Sequence, residues 1–273
     1  MSNDVEWARL TAPELREAAA AGAVAVLPVA ALEQHGPHLP TMVDFRLCGE
    51  VARRGAALAA AQGTRAVVLP PIWTGMSDHH LPFGGTASLS FDAFRASLLG
   101  VAAAVRVSGF TKFFVLNGHG GNVAALSIII PEIAAIAGQR AAGGTYWLLA
   151  EAAFRDILED QPGVRHACEA ETSMMLALEP ALVRTELLGE AHGGGAPMGS
   201  AGLADPVIVA RSFVERTQNG VIGDARRATA AKGERLLEAA AGALAAALTA
   251  ASTWTPATPP PGGAGNKPLG QPA

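Results

Sequence analysis

Short, almost continuously apolar segments that alternate with helical patterns constrain the fold of this chain more than any other feature. The apolar segments are AVAVLPV (23–29), RAVVLPPI (65–72), KFFVLNG (112–118), TYWLLA (145–150) and PVIVA (206–210). Strands that are covered on both faces have this composition. Helical patterns lie between or around them, at 11–22, 45–62, 91–107, 122–138, about 170–178 and 224–250. The alternation predicts parallel βαβ units in a layered α/β domain.

Length and composition place these elements in a single domain. The chain has 273 residues, which suits one large domain or two small ones, and we find no internal repeat and no second domain. We therefore assign 1–254 to one domain. The remaining segment, TPATPPPGGAGNKPLGQPA (255–273), is rich in proline and glycine and is predicted to be disordered.

Charge, hydropathy and cysteine content narrow the class of protein. The formal net charge is −4 and no cluster of lysine and arginine follows one face, which argues against nucleic acid as a partner. No apolar run reaches the length and bulk expected of a membrane span, and the N-terminus lacks a signal pattern. We therefore expect a cytoplasmic protein with no membrane partner. The two cysteines, Cys48 and Cys168, do not indicate a disulfide framework.

Ionisable residues gather directly after the predicted strands. The first strand runs into Glu33-Gln34-His35, the second into WTGMSDHHLPFGGT (73–86) and the third into NGHGGN (117–122). Six of the seven histidines, all but His192, lie in or beside these segments or in HACEAETS (166–173). Ligands bind beyond the carboxyl ends of the strands in open parallel sheets. The sequence therefore predicts a functional site at this edge of the sheet.

The residue types in these segments suit a metal centre. In an extended chain Glu33 and His35 point the same way, so a carboxylate and an imidazole can converge on one ion. Asp44 precedes a predicted helix and could bridge two ions, and His119 is flanked by glycines that allow close backbone approach. Further donors are available at His166, Glu169 and Glu171. This mixture suits Zn²⁺, Mn²⁺ or Fe²⁺ and is sufficient for two ions.

Each of these residues also has a plainer interpretation. Asp44 could cap the helix that follows it, and Glu171 could cap a helix as well. Glu33 and His35 could form an exposed loop pair, and His119 could lie in a turn. Two further histidines are expected to stay outside the chemistry, His38 as a structural residue and His79 as an exposed residue.

Other catalytic motifs fit poorly. GHGGN (118–122) is not followed by the Gly-Lys-Ser/Thr of a phosphate-binding loop, and Val123 stands where a dinucleotide fingerprint needs its last glycine. HGGG (192–195) could form an oxyanion loop, yet the chain has no G-x-S-x-G nucleophile elbow. A serine hydrolase is therefore disfavoured.

The order and content of these segments resemble the creatininase family of metal-dependent amidohydrolases. The matching segments are LEQHGPHLP (32–40), GMSDHHLPFGGTASLS (75–90), NGHGGN (117–122), HACEAETSMML (166–176) and NGVIGDARRATAAKGERL (219–236). The resemblance implies a three-layer αβα sandwich, two divalent metal ions and a homohexamer. It implies Glu33, His35, Asp44 and His119 as ligands, with Asp44 as the bridge. It also implies His166 as a catalytic histidine and Glu171 as a catalytic glutamate close to the metals.

Two departures from the family pattern affect the expected ligands and substrate. Creatininase proper has a glutamate ligand at the position of Gly121, and we expect Glu169 to supply that carboxylate instead. It also has a tryptophan at the position of Pro162, so we expect poor hydrolysis of creatinine. The substrate side is predicted to include Ser77, His80, Gly121 and Asn122, with further contacts from glycines 193–195.

The resemblance implies metal-assisted hydrolysis of an amide C–N bond in a small molecule, either a cyclic amide or a formamide. The metals would activate water and polarise the carbonyl, and His166 would protonate the leaving nitrogen. Members of the family hydrolyse creatinine, open formamidopyrimidine-type amides or trim a peptide in mycofactocin maturation. A peptidase of the mycofactocin type is therefore one alternative. The other is a non-catalytic module that holds a small ligand in the same pocket.

Overall fold

The order of the strands in the central sheet determines where the candidate site lies. A computed structural model describes residues 4–193 and 212–255. Its strands are β1 Val24–Val29, β2 Ala66–Val68, β3 Lys112–Asn117, β4 Arg140–Thr145, β5 His192–Gly193 and β6 Gly223–Asp224. The first four form a parallel sheet in the order β2-β1-β3-β4, and the last two form a short antiparallel pair. The predicted strand at 206–210, the glycines after 193 and the predicted tail from 256 onwards lie outside the described residues.

Helices surround this sheet, and polar residues fix where several of them begin. The helices are α1 Ala12–Ala20, α2 Val43–Ala61, α3 Phe91–Val107, α4 Val123–Ala137, α5 Tyr146–Leu149, α6 Glu151–Ile157, α7 Glu169–Leu178, α8 Ala230–Thr249 and α9 Ala251–Trp254. A capping box of Thr11 and Glu14 starts α1. Ser90 accepts a hydrogen bond from the backbone N–H of Ala93 at the start of α3 (3.3 Å).

The two faces of the sheet bury separate hydrophobic cores, which confirms the predicted layered α/β fold. Val24 and Val26 of β1 pack into a core with α2, α7 and α8. Ala25 and Leu27, which point to the opposite face, pack into a core with α1, α3 and α4. Burial on both faces explains why β1 has no polar residue, and it gives three layers, helix on sheet on helix.

The prediction for the fourth strand was wrong. The apolar segment 145–150 forms the short helix α5, and the strand is the preceding segment, β4, with the sequence RAAGGT. A Cβ atom at Gly143 would lie 2.7 Å from the carbonyl oxygen of Val115 on β3. The close approach of these two strands therefore requires a small residue at position 143. For this reason β4 is rich in alanine and glycine and lacks the apolar sequence pattern that identified the other strands.

A network of charges ties α2 to α8. Glu50 accepts a hydrogen bond from Arg54 Nε (2.8 Å), and Arg54 Nη2 donates to Glu234 on α8 (3.2 Å). Arg53 also donates to Glu50 (2.6 Å). Partial burial alone would raise the pKa of Glu50, but these arginines lower it to about 2. The carboxylate therefore stays charged throughout the neutral and mildly acidic range.

One helical segment differs from the expectation that no run resembles a membrane span. Gly120–Ala137 has sufficient length and a mean hydropathy of 1.6, and 28% of it is buried. Ile129 and Ile133 pack in the core against the sheet, whereas Ile128 and Ile136 are 60% and 65% exposed. Length and composition are weak evidence for a span, because a core helix of a globular protein meets the same criteria. The segment does leave an apolar surface on α4.

Candidate metal centre

The carboxyl ends of β1 and β3 bring the predicted site residues together. Glu33 and His35 follow β1, Asp44 lies in the first turn of α2, and His119 follows β3. His166 and Glu171 reach the same place from the turn before α7 and from its first turn, and all six side chains are buried. The convergence results from the parallel topology, since both strands end at one edge of the sheet.

Asp44 lies between two imidazoles. Its Oδ1 is 3.1 Å from His35 Nε2, and its Oδ2 is 3.0 Å from His119 Nδ1. Glu33 Oε1 is 3.3 Å from the same nitrogen of His119. The N-cap of α2 is Met42, so the Asp44 carboxylate does not cap the helix. Each oxygen of this carboxylate lies next to a different imidazole, which is the arrangement that a bridging ligand requires.

Backbone carbonyls orient three of the imidazoles. Each ring donates one N–H to a carbonyl oxygen: His35 Nδ1 to Glu33 (3.0 Å), His119 Nε2 to Met76 (3.1 Å) and His166 Nε2 to Gln34 (2.8 Å). A carbonyl oxygen only accepts, so these nitrogens carry the proton and the other nitrogen of each neutral ring has a free lone pair. Those lone pairs face the carboxylates. Metal-binding histidines are commonly oriented in this way.

His80 and Gln34 hold Glu33 in place. The Gln34 Oε1 atom accepts from the backbone N–H of Gly36 (2.9 Å), so its amide nitrogen faces His80 Nδ1 at 3.0 Å. The amide donates to this nitrogen, which leaves His80 Nε2 as the protonated one, 3.2 Å from Glu33 Oε1. Both nitrogens of His80 are therefore engaged, and His80 orients a carboxylate.

The electrostatics of the cluster fit a cation. Burial alone would lower the pKa of His35 and of His119, but the carboxylates next to them raise that of His35 well above its ordinary value and that of His119 to about 10. Burial alone would raise the pKa of Asp44, and His35 and His119 lower it instead. Burial lowers the pKa of His166 well below its ordinary value, and the charge of His35 adds to this effect.

Two buried atoms test whether a metal ion suits these residues. Glu33 Oε2 and His35 Nε2 have no hydrogen-bond partner among the described residues. The lone pair of His35 Nε2 faces Asp44 Oδ1, and two acceptors face each other favourably only across a cation or a shared proton. One donor atom each from Glu33, His35 and Asp44 lies within 4.8 Å of the others. The donor set therefore fits a divalent metal centre.

Glu171 brings a third carboxylate to the cluster. Its Oε1 is 3.8 Å from His35 Nε2, and donor atoms of His35, His166 and Glu171 lie within 4.8 Å of one another. Its Oε2 accepts a long hydrogen bond from the backbone N–H of Cys168 (3.4 Å), so this residue also caps α7. Glu171 therefore caps α7 and also lies beside the cluster.

The structure corrects the prediction that Glu169 is a ligand. Glu169 is fully buried, but its Oε2 accepts from the backbone N–H groups of Glu159 and Asp160 at 3.0 and 3.1 Å. Its Oε1 accepts from Lys232 on α8 at 2.5 Å. Both oxygens are occupied away from the cluster. A glutamate at position 121 would not fit either, because a Cβ at Gly121 would collide with the carbonyl oxygen of Met76.

The predicted substrate-side residues divide into two pairs. His80 and Gly121 line a cavity of about 400 Å³ that opens onto the cluster. Ser77 and Asn122 do not line it. The Ser77 hydroxyl is 3.2 Å from His119 Nε2, and Asn122 accepts from the backbone N–H of Met76 (3.0 Å). Both are buried and support the loop beneath the site, because their polar atoms are used in local hydrogen bonds.

The remaining conspicuous residues lie around this centre. His38 contacts the Thr172 hydroxyl on α7 (2.8 Å) and does not join the cluster. Burial raises the pKa of Cys168 to about 12, so its thiol stays neutral. His192 lines a separate cavity of about 760 Å³ to which none of the clustered side chains contributes. His79, which sequence reasoning placed at the surface, is half-buried and lines the cavity of the site.

Comparison with known proteins identifies the family that this fold and site define. The family model of creatininase, described as creatinine amidohydrolase, matches residues 8–248. The chain belongs to the creatininase family. It is 35% identical over 214 residues to the mycofactocin precursor peptide peptidase of Mycolicibacterium smegmatis, covering 77% of this chain and 78% of that protein. It is 28% identical to the creatinine amidohydrolase of Pseudomonas putida, covering 87% and 94%.

Solved structures of the family share this fold, and two of them are named by the metal they contain. A structure named creatininase Mn superposes with a TM-score of 0.75 at 26% identity, covering 93% of this chain and all of that one. A mutant creatininase described as the Zn-Zn type superposes with a TM-score of 0.73, also at 26% identity and with the same coverage. Relatives with this fold therefore include manganese and zinc forms.

Proposed function

We propose that this protein is a metal-dependent hydrolase of amide C–N bonds in small molecules. The observation that carries the proposal is the group of Glu33, His35 and Asp44, whose donor atoms lie within 4.8 Å of one another and include two unpartnered buried atoms. Membership of the creatininase family supports a hydrolytic reaction. The cavity of about 400 Å³ provides room for a small substrate beside this group.

The donor set suits two divalent ions such as Mn²⁺ or Zn²⁺. Glu33, Asp44 and His119 would hold one ion, and His35, Asp44 and Glu171 would hold the other. When bound, the ions would polarise the substrate carbonyl and make water nucleophilic near neutral pH. With metal bound in place of the second ring proton, the imidazoles and three carboxylates would provide the mixed nitrogen and oxygen ligands that these metals prefer.

His166 moves the proton in the proposed reaction. Its Nε2–H is held by the Gln34 carbonyl, so its Nδ1 lone pair faces Glu33 at 3.6 Å, and the residue lines the cavity. The ring therefore begins the reaction as a base that accepts a proton from water. It then returns this proton to the amide nitrogen as the C–N bond breaks. A positioned proton carrier of this kind contributes about 10²–10⁴-fold to the rate.

Metal reconstitution tests the proposal. Metal-stripped protein and protein reloaded with Mn²⁺ or Zn²⁺ would be assayed against cyclic amides, formamides and short peptides. We expect hydrolysis only in the reloaded samples, and a His166→Gln variant should bind metal while losing most of its turnover. Metal binding without hydrolysis of any of these amides would favour the non-catalytic binding module.

A short peptide is the second candidate substrate. The mycofactocin precursor peptide peptidases are among the relatives of this chain. Large apolar side chains also line the cavity, namely Trp147, Leu148, Val164 and Phe213. Such a lining suits the side chain of a peptide better than the rim of a small polar ring. Preferential turnover of peptides over cyclic amides, and a short precursor gene next to this one, would favour the peptidase.

We also propose that the protein assembles as a homo-oligomer, with six subunits as the expected number. Val107 at the end of α3 is 89% exposed, and Ile128 and Ile136 on α4 are exposed as well. Exposed apolar residues on neighbouring helices are typical of subunit contacts. Sedimentation at micromolar concentration tests this proposal, and a monomer would contradict it.

A further inference from the structure

We propose that His79 is an additional ligand on the Glu33–His119 side of the metal centre. This inference rests on the metal centre of the proposed function, but it does not depend on which amide is hydrolysed. One donor atom each from Glu33, His79 and His119 lies within 4.8 Å of the others. The group has the composition of a metal half-site, with two imidazoles and one carboxylate.

The His79 ring stands next to the His119 ring in a nearly parallel orientation. The two ring centroids are 5.7 Å apart and the planes differ by 13°. His79 makes no side-chain hydrogen bond to any of the residues 4–193 and 212–255, so both of its ring nitrogens remain available there. It is half-buried and lines the cavity. An imidazole that makes no such hydrogen bond and has a donor atom within 4.8 Å of two other donors is placed to bind a cation.

His80, the adjacent histidine, cannot take this role. Its Nδ1 accepts from Gln34 and its Nε2 donates to Glu33, so neither nitrogen has a lone pair free. The two neighbouring histidines therefore have different functions. His80 orients the Glu33 carboxylate, and His79 offers a lone pair to the ion that this carboxylate binds.

Gly121 provides the space that the His79 loop occupies. A Cβ atom at position 121 would collide with the Met76 carbonyl oxygen and with His119 Nε2, and it would lie 3.0 Å from His79 Cε1. Position 121 therefore cannot carry a side chain while the loop keeps this path. Glycine in place of the glutamate of creatininase proper removes a possible ligand at position 121. It also allows the His79 imidazole to lie close to the centre.

Hydrogen bonds on both sides fix the loop that carries His79. The backbone N–H of Met76 donates to Asn122 Oδ1 (3.0 Å), and that of Ser77 donates to the Ser88 hydroxyl (2.9 Å). The backbone N–H of His80 donates to the Ser77 carbonyl (2.9 Å). The position of His79 is therefore set by the fold before any ion binds, and this lowers the cost of ordering a ligand.

Metal titration tests the inference. Metal-stripped wild type, His79→Asn and a His192→Asn control would be titrated with Mn²⁺ and Zn²⁺ by calorimetry, and with Co²⁺ by visible absorption. His192 is exposed and lies outside the cluster. We expect His79→Asn to bind one of the two ions at least tenfold more weakly, since even the loss of an outer partner costs 10–100-fold. Its Co²⁺ spectrum should change, and the control should match wild type.

The outcomes separate this inference from the proposed function. Unchanged affinity and an unchanged Co²⁺ spectrum in His79→Asn would overturn the inference, even if its turnover fell. Weaker binding in a protein that hydrolyses no amide would support the inference and contradict the proposed function. A second variant, His79→Gln, and the far-UV circular dichroism of both variants would show whether a loss of affinity comes from the missing imidazole or from misfolding.

Discussion

Replacing Glu169 by glutamine should lower stability and leave metal binding intact. Glu169 stands at the first position of α7 and is fully buried. Its carboxylate joins three partners: two backbone N–H groups of the segment 159–160 and the Lys232 ammonium. The side chain thus connects α7 to α8 and to the loop after α6. None of these contacts faces the candidate metal centre.

The size of the effect follows from what glutamine preserves. Removing one partner of a buried ion pair costs about 3–5 kcal/mol. The glutamine oxygen can still accept from the two backbone groups, and Lys232 keeps Glu159 Oε1 (2.6 Å) and the Arg227 carbonyl (2.8 Å). We therefore expect the lower end, about 3 kcal/mol, as a fall in the free energy of unfolding.

Urea unfolding of the metal-free protein at pH 7 measures this fall, and calorimetric titration with Mn²⁺ measures the affinity. Glu171→Gln is the matched control, two residues away on the same helix. It should show the opposite pattern, with weaker metal binding because its carboxylate lies 3.8 Å from His35 Nε2. Reduced metal affinity in Glu169→Gln with unchanged stability would refute this reasoning and restore Glu169 as a ligand.

Three further changes probe the centre and its surroundings. Asp44→Ala should lose at least one metal equivalent and nearly all turnover with the fold retained, and full metal content with normal turnover would contradict the two-ion centre. Gln34→Glu should move the His80 proton to Nδ1, break its hydrogen bond to Glu33 and weaken metal binding about 10–100-fold, as nitrogen NMR and titration would show. Glu50 has a pKa lowered from 4.5 to about 2. Its stabilisation relative to Glu50→Gln should therefore be complete above pH ~5 and vanish as the pH falls towards 2 in urea unfolding series.

The sequence predicted those strands whose burial dictates their composition. β1, β2 and β3 are covered on both faces and appear as apolar segments, so each lies where the pattern placed it. β4 was not predicted because its packing against β3 requires glycine at 143, and glycine does not contribute to an apolar sequence pattern. The apolar segment after it was misread as a strand, since a short apolar run is compatible with either a strand or one helical turn.

The site residues could be predicted from the sequence where the path of the backbone fixes the position of the side chain. They could not be predicted where a partner that is distant in the sequence fixes it. Glu33, His35 and His119 follow strand ends, and a parallel sheet brings such ends together. Glu169 was misassigned because its partner Lys232 is far away in the sequence. The half-buried place of His79 at the cavity was not predicted, because it depends on the missing side chain at Gly121, which no spacing rule reveals.

The segment 33–35 contains two predicted metal ligands and also orients the imidazole rings around them. Glu33 and His35 present donor atoms to the centre, and the Glu33 carbonyl also orients the His35 ring. Gln34, between them, orients His166 with its carbonyl and His80 with its side-chain amide. One strand end thus sets both ligands and the orientation of two further imidazoles. Substitutions within 33–35 should therefore be strongly non-additive with changes at His80 or His166, because these residues share partners. A double-mutant cycle between Gln34 and His80, measured by metal affinity, gives the coupling directly, and additive effects would show that Gln34 does not act through His80.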